Sequence, residues 1–207
     1  MRGGFFSGLI AIAVTCAAPL SAQSMKRVAE LCSDPMTSGP QKLIMLDSEG
    51  WERAEKATIP AVTAIANAHI ATFSTGLGDW PARYSKIPAL AGNFTTMIDS
   101  GVVSLWTKGD AYLAVSIQQT QDGGEHLACY FAGPENAETM EIIESYGTPE
   151  TDPEQGLTIT RFDETAFVMN PERSYKLFSV FSRHQSYPEL ATPDGYRLER
   201  VEQPKTE

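Results

Sequence analysis

One stretch of this chain constrains the fold more than any other, because it alternates apolar with small or polar residues at the period of two that a strand requires. It predicts three antiparallel strands, roughly Val103–Thr107, Ala111–Gln119 and Glu125–Ala132. Turns at 108–110 and 121–124 join them. The second turn contains Asp-Gly-Gly, whose glycines reach positive φ at low cost, and it is the clearest hairpin signal in the sequence.

The central strand indicates which side of this sheet is buried. Its apolar residues are Leu113, Val115 and Ile117, which alternate with Ala114, Ser116 and Gln118. The next strand continues the apolar set with Leu127, Cys129 and Phe131. We therefore expect one buried face, with helices packed on that side of the sheet.

Helices are predicted before and between two runs of strands. Apolar spacing and capping signals predict helices over Ser24–Cys32, Pro40–Glu49, Thr58–Ser74, Ile87–Ile98 and Pro134–Tyr146. Further strands are predicted at Leu157–Phe162, Ala166–Met169, Tyr175–Ser182 and Gly195–Val201, with a loop or hinge at Gly147–Gly156. The expected class is α+β: an antiparallel sheet built from two strand runs, about 103–132 and 157–201, with N-terminal helices and a connecting helix packed on it, in a single domain over 23–207.

The first 22 residues have the pattern of a secretory signal peptide. Arg2 precedes an uncharged run, and small residues follow it. A membrane anchor fits less well, because glycines and Pro19 interrupt the run and it is shorter than the roughly 20 apolar residues of a span. Lipidation at Cys16 fits less well because no small residue directly precedes the cysteine. Cleavage after Ala22 predicts a periplasmic or secreted chain that begins at Gln23 and has no membrane span.

Charge excludes two classes of partner. The chain carries 26 acidic and 16 basic residues, for a formal net charge of −10 at pH 7, and loss of the leader removes one more positive charge. A chain this acidic is repelled by phosphate backbones and by anionic lipid surfaces. We therefore predict no nucleic-acid partner.

Two cysteines remain after cleavage, Cys32 and Cys129. In an exported protein an even pair is more often a disulfide than two free thiols. Neither cysteine belongs to a C-x-x-C motif or has a basic neighbour that would lower its thiol pKa. A structural Cys32–Cys129 disulfide is predicted.

Few residues are available for catalysis or metal binding. The three histidines, His69, His126 and His184, are too far apart in sequence to form a metal-ligand motif, and no nucleophile motif is present. The functional candidates are His126 with its neighbour Glu125, and His184 where a strand runs into a loop. His69 is predicted to be a packing residue in the apolar stripe of its helix. The prediction is therefore no catalytic residue, no metal and no cofactor.

Aromatic residues accumulate in the second strand run, at Phe162, Phe167, Tyr175, Phe178 and Phe181. They indicate either a core shared with the preceding helix or a cleft for an apolar ligand or a partner strand. The leading hypothesis is a non-catalytic binding or accessory factor of the cell envelope, whose partner is an envelope protein or a small apolar ligand. The alternative is a small exported hydrolase that uses a histidine and carboxylates in a cleft.

Overall fold

The computed structural model describes residues 20–34, 36–73, 85–121, 123–134, 137–145, 148–152, 157–163, 175–183 and 194–202. In chain order its elements are α1 (Leu20–Ser33), α2 (Gly39–Ser48), β1 (Glu52–Ala54), α3 (Ile59–Phe73), α4 (Ile87–Asp99), β2 (Val103–Lys108), β3 (Ala111–Gln119), β4 (Glu125–Gly133), α5 (Ala137–Ser145), β5 (Glu150–Asp152), β6 (Leu157–Asp163), β7 (Tyr175–Arg183) and β8 (Asp194–Glu202). The predicted α+β class is confirmed.

All eight strands form one antiparallel sheet in the order β1-β2-β3-β4-β8-β7-β6-β5. Strands β2 to β4 form one meander and strands β5 to β8 form another. The two meanders meet where β8 pairs with β4, from Glu125 opposite Glu202 to Gly133 opposite Asp194. We call this ladder the seam. It joins the two predicted strand runs into a single sheet.

The turns of the first meander follow from glycine at positions that need a positive φ. Gly109 between β2 and β3 has φ 57°, and Gly123 between β3 and β4 has φ 83°. The Thr120 N–H donates to the Gly124 carbonyl over 2.8 Å and closes the second turn. A side chain at either glycine would be strained, so these two positions set the register of the three strands.

Helix α2 ends as its sequence predicts. Gly50 has φ 80°, and the Trp51 N–H donates to the Leu46 carbonyl over 3.0 Å, which turns the chain back onto the last helical turn. The Trp51 side chain is buried and packs edge-on against Phe131, with ring centroids 6.3 Å apart. Trp51 is therefore a core residue that fixes α2 to the sheet.

Helices cover both faces of the sheet, so the expectation of helices on one side is wrong. On the first face, α1, α2 and α5 cover large apolar residues of β3, β4 and β8: Leu113, Val115, Leu127, Cys129, Phe131, Tyr196 and Leu198. We call it the disulfide face. On the second, α3 and α4 cover a group that includes Val103, Leu105, Ala114 and Ala132, with Tyr112 and Tyr130 half-buried beside them. We call it the alanine face.

The alanine face is a buried face that is built from small side chains. Ala114 and Ala132 are both 0% exposed, and helix α3 brings its own buried alanines, Ala61, Ala64 and Ala68, against this layer. Small side chains on both partners allow close approach of the helix to the strands. The alternation of large with small residues along β3 therefore corresponds to two buried faces that differ in side-chain size.

The predicted disulfide is confirmed. Cys32, near the end of α1, is bonded to Cys129 in β4, with Cα atoms 6.5 Å apart and a sequence separation of 97. That Cα separation lies within the usual range of about 4.4 to 6.8 Å. The bond fixes the first helix to a central strand of the sheet.

Some other predictions differ from the structure or lie outside the described residues. The segment 147–156, predicted as a loop, contains the short edge strand β5, which pairs with β6 from Glu150 opposite Ile159. Strand β6 also pairs with β7, where Phe162 lies opposite Phe178. The predicted strand 166–169, Phe167, His184 and residues 1–19 of the predicted leader lie outside the described residues. Within the described residues, no helix combines the length and apolar character needed to cross a membrane.

Candidate functional site

The structure separates the two neighbouring candidates in β4. Side chains of consecutive strand residues point to opposite faces, so Glu125 lies on the disulfide face and His126 on the alanine face. One carboxylate oxygen of Glu125, Oε1, accepts a hydrogen bond from the Gly39 N–H over 3.0 Å at the start of α2. A carboxylate there is favoured by the helix dipole. The two candidates therefore lie on opposite faces of the sheet, and Glu125 contacts the first turn of α2.

Buried cations surround the end of α1 near Glu125. Lys42 is 2% exposed, and its Nζ donates to the carbonyls of Leu31 and Asp34 over 2.7 and 2.6 Å. Arg200 is 5% exposed, and its Nη1 donates to the Ser33 carbonyl over 3.2 Å. These bonds satisfy carbonyls at a helix end that otherwise lack a partner.

Burial, followed by the charge of Arg200, lowers the pKa of Lys42 to about 8. Burial also lowers the pKa of Arg200. Both side chains are enclosed and occupied with main-chain carbonyls beside the disulfide. Lys42 and Arg200 therefore stabilise the end of α1, and we assign them a structural role.

A different arrangement lies on the alanine face, where three aromatic rings meet. His69 of α3, Phe94 of α4 and Tyr130 of β4 all pack edge to face. The His69 ring centroid is 5.9 Å from that of Phe94 and 5.3 Å from that of Tyr130, and the last two are 5.3 Å apart. Edge-to-face pairs at these separations are favourable. His69 lies on the packed side of α3, as its spacing predicts.

These rings line a surface cleft of about 380 Å³ between α3, α4 and β4. Its described lining residues are His69, Leu90, Asn93, Phe94, Thr96, Met97 and Tyr130. Apolar and aromatic side chains form most of the wall. Asn93 and Thr96 add a side-chain amide and a hydroxyl group. This combination is typical of sites that bind small molecules. We call it the His69 cleft.

An ion pair lies next to the Tyr130 wall of the cleft. The Tyr130 hydroxyl donates to Oε1 of Glu199 over 3.0 Å, and the same oxygen accepts bonds from Nε and Nη2 of Arg197 over 3.0 and 2.7 Å. Arg197 is 8% exposed. Because β4 and β8 are neighbours with Tyr130 opposite Arg197, this network crosses the seam. It holds the Tyr130 ring in place.

The surroundings keep His69 and Tyr130 uncharged at neutral pH. Burial, reinforced by the nearby Arg197 charge, lowers the pKa of His69 to about 4, against a smaller opposing effect of Glu199. Burial, followed by the Glu199 charge, raises the pKa of Tyr130. A neutral imidazole and a protonated phenol therefore line the cleft.

A larger cleft, of about 510 Å³, lies between β1, the end of α4 and the start of β2. Its charged residues, Arg53, Glu55 and Asp99, are exposed, and none of its described lining residues is a histidine. Asp99 accepts a hydrogen bond from the Ala57 N–H over 3.2 Å. In the described part of the chain, no group of three or more histidine, cysteine or acidic side chains is arranged to hold a metal ion.

The sequence alone does not reveal the network of Tyr130, Glu199 and Arg197. The alternation of β8 places Arg197 and Glu199 on one face and Tyr196 and Leu198 on the other. The sequence therefore shows which residues of β8 share a face. It does not show that β8 pairs with β4, and so it does not place Arg197 next to Tyr130.

Comparison with known proteins found no matching family model, no matching curated protein and no matching solved structure. The case for a function therefore depends on the geometry of the chain itself.

Proposed function

We propose that this protein is a non-catalytic binding factor of the cell envelope and that the His69 cleft binds a small, mainly apolar ligand. The observation that carries the proposal is the cleft itself, in which three mutually edge-on rings and two apolar side chains line an open volume of about 380 Å³ beside two small polar groups. Apolar walls supply affinity and a few polar groups supply orientation in such sites.

The chemistry of the cleft favours binding over catalysis. Glu199 is the acid next to this wall, and its Oε1 already accepts bonds from Tyr130 and Arg197. A hydrolase needs a base oriented by a third group and aimed at a water or a nucleophile. The His69 ring packs edge-on against two aromatic rings, and burial with the Arg197 charge lowers its pKa to about 4, which makes it a weak base at neutral pH.

Export is the second part of the proposal. The Cys32–Cys129 disulfide supports it, because disulfides persist in oxidising compartments. The leader pattern of residues 1–22 supports it independently. The intact mass of the chain recovered outside the cytoplasm is the measurement, and we expect the mass of a chain that begins at Gln23. A mass that includes the apolar leader would remove both the cleavage and the export.

A fluorescence titration with the neutral dye N-phenyl-1-naphthylamine tests the ligand site. We expect saturable binding at one site per chain. The variant Thr96→Trp places a large ring at an exposed position that lines the cleft, and we expect dye affinity to fall at least about tenfold because the ring fills the cavity.

The matched control is Ile59→Trp. Ile59 is 81% exposed in α3 and does not line the cleft, so this variant adds the same ring to the same helical layer without filling the cavity. Its dye affinity should equal that of the wild type. Equal losses in both variants, or no saturable binding by the wild type, would refute the assignment of the cleft.

The hydrolase alternative has one observation in its favour, a histidine in a cleft. It predicts turnover of a simple ester such as p-nitrophenyl butyrate by the wild type and loss of that turnover in His69→Gln. The binding proposal predicts no turnover above that of the Thr96→Trp variant. An envelope protein as partner is a further form of the binding proposal, and a pull-down from periplasmic extract tests it.

A further inference from the structure

We infer that the buried Arg197–Glu199 pair makes the His69 cleft selective for uncharged ligands, with Arg197 as the residue that sets this selectivity. The inference rests on the proposed function and deepens it by naming the class of ligand. Three observations support it: the composition of the cleft wall, the hydrogen bonds of the Glu199 carboxylate and the effect of the Arg197 charge at His69.

The wall of the cleft offers no counterion. Its described lining side chains are apolar, aromatic or neutral polar, and His69 is a neutral imidazole at neutral pH because its pKa is about 4. A charged ligand that leaves water for such a site loses its hydration without gaining an ionic partner. A neutral ligand of the same shape bears no such cost.

One oxygen of the carboxylate beneath the wall is already engaged by the protein. Oε1 of Glu199 accepts two bonds from Arg197 and one from Tyr130. Arg197 is 8% exposed, and its bonds to Glu199 are both under about 3.1 Å, as expected for a charge-assisted pair. Tyr130 stands between this pair and the cleft, because its ring lines the cavity while its hydroxyl contacts the pair.

The two charges of the pair act in opposite directions at His69. At His69, the effect of Arg197 on the protonation equilibrium exceeds the opposite effect of Glu199. A cationic ligand in contact with His69 therefore experiences net repulsion. An anionic ligand is attracted by Arg197 at His69, but it has to lose its hydration and is repelled by the formal net charge of −10 on the whole chain, so it is also disfavoured.

Three compounds of one shape test the selectivity. They are 3,3-dimethyl-1-butanol, which is neutral, choline, its cationic isostere, and 3,3-dimethylbutyrate, an anionic one. Each is titrated at pH 7 against wild-type protein loaded with N-phenyl-1-naphthylamine. We expect the neutral alcohol to displace the dye at concentrations at least about tenfold lower than either ion. Displacement by choline or by the anion at the same or lower concentration would overturn the inference.

A variant pair identifies the residue responsible. Arg197→Gln leaves the Glu199 charge beside Tyr130, and we expect choline to gain at least about tenfold relative to the alcohol. The double variant Arg197→Gln/Glu199→Gln removes both charges, and its gain for choline should be smaller than that of Arg197→Gln because no unpaired carboxylate remains. If Arg197→Gln does not fold, the double variant against the wild type still decides: its choline to alcohol ratio should move toward equality, and an unchanged ratio would exclude Arg197.

The two proposals fail in different ways. If the wild type does not bind the dye saturably, the proposed function fails and the selectivity fails with it. If the dye binds and Thr96→Trp weakens it, but choline competes as well as the alcohol, only the selectivity fails.

Discussion

The two faces of the sheet are both buried, yet they are built by opposite means. On the disulfide face, large side chains such as Trp51, Phe131 and Tyr196 fill the space under α1 and α2, and a covalent bond and two buried cations fasten α1. On the alanine face, small side chains let α3 approach closely, and the packing leaves a cleft beside His69. Large side chains and a covalent link fix the helices on the first face, whereas close approach of small side chains fixes α3 on the second, and the cleft lies beside the large rings of that face.

Loss of the disulfide should have the largest effect. The double variant Cys32→Ser/Cys129→Ser releases a loop of 97 positions, for which the chain-entropy model gives about 4 to 5 kcal/mol as an upper value for the lost stability. Urea unfolding measures it. Dye affinity of the protein that remains folded should be unchanged, because the cleft lies on the other face.

Thiol titration of the denatured, unreduced protein is the companion measurement. We expect no reactive thiol from Cys32 or Cys129. Two reactive thiols per chain would exclude the bond, and a large loss of dye affinity in the folded double variant would contradict the independence of the two faces.

Truncation of a large residue on the disulfide face should be nearly as costly. Trp51→Ala removes a ring that is 1% exposed and packs on Phe131, and we expect a loss of about 3 to 5 kcal/mol in the free energy of unfolding. Ile44→Ala, at a 69% exposed position of α2, is the control and should change it by less than about 0.5 kcal/mol. Similar losses in both variants would show that Trp51 does not anchor α2.

The alanine face should be sensitive to enlargement. Ala114→Leu adds three carbons at a position that is 0% exposed between β3 and the helices, and overpacking should cost about 1 to 3 kcal/mol. Gln118→Leu makes a change on the same face at the exposed end of β3 and should cost less than about 0.5 kcal/mol. Thermal unfolding of the two variants side by side is the measurement, and a neutral Ala114→Leu would mean that the face is loosely packed.

A pH dependence that comes from one buried group is also expected. The pKa of His69 is about 4 in the folded chain and 6.5 as the ordinary value, so the unfolded chain binds the proton more readily between these pH values. Stability contributed by His69 is therefore complete above pH 6.5 and is lost as the pH falls toward 4. His69→Gln should lose less stability than the wild type between pH 7 and pH 4.5 in urea unfolding. Parallel losses would assign the acid sensitivity to other groups.

Much of the fold is local and was predictable for that reason. The period of two in β3 and β4, the glycines of the two hairpins and the Gly50-Trp51 pair each act within a few residues of their own position. The disulfide was predictable because compartment and cysteine count leave one pair. The aliphatic stripe of α3 correctly predicted that His69 packs inward.

What was missed is not local. Alternation in β3 shows that Ala114 faces away from Leu113, but only the position of α3 shows that Ala114 is buried. Likewise, no feature near Glu199 reveals that β8 pairs with β4 and brings its carboxylate to Tyr130. The candidates Glu125 and His126 are neighbours in sequence, but consecutive residues of a strand point to opposite faces of the sheet.

The seam also has a consequence for the time course of folding. Each meander can form from contacts between adjacent strands, whereas the ladder of β4 with β8 closes only after the chain has passed through α5, β5, β6 and β7. Non-local ladders of this kind form late, because the entropy of loop closure opposes them until many contacts are in place. Until then β4 has an open edge, and an open edge can pair with another chain. The Cys32–Cys129 bond links α1 to β4 and does not involve the last strand, so it can hold these parts of the first half together before β8 pairs with β4.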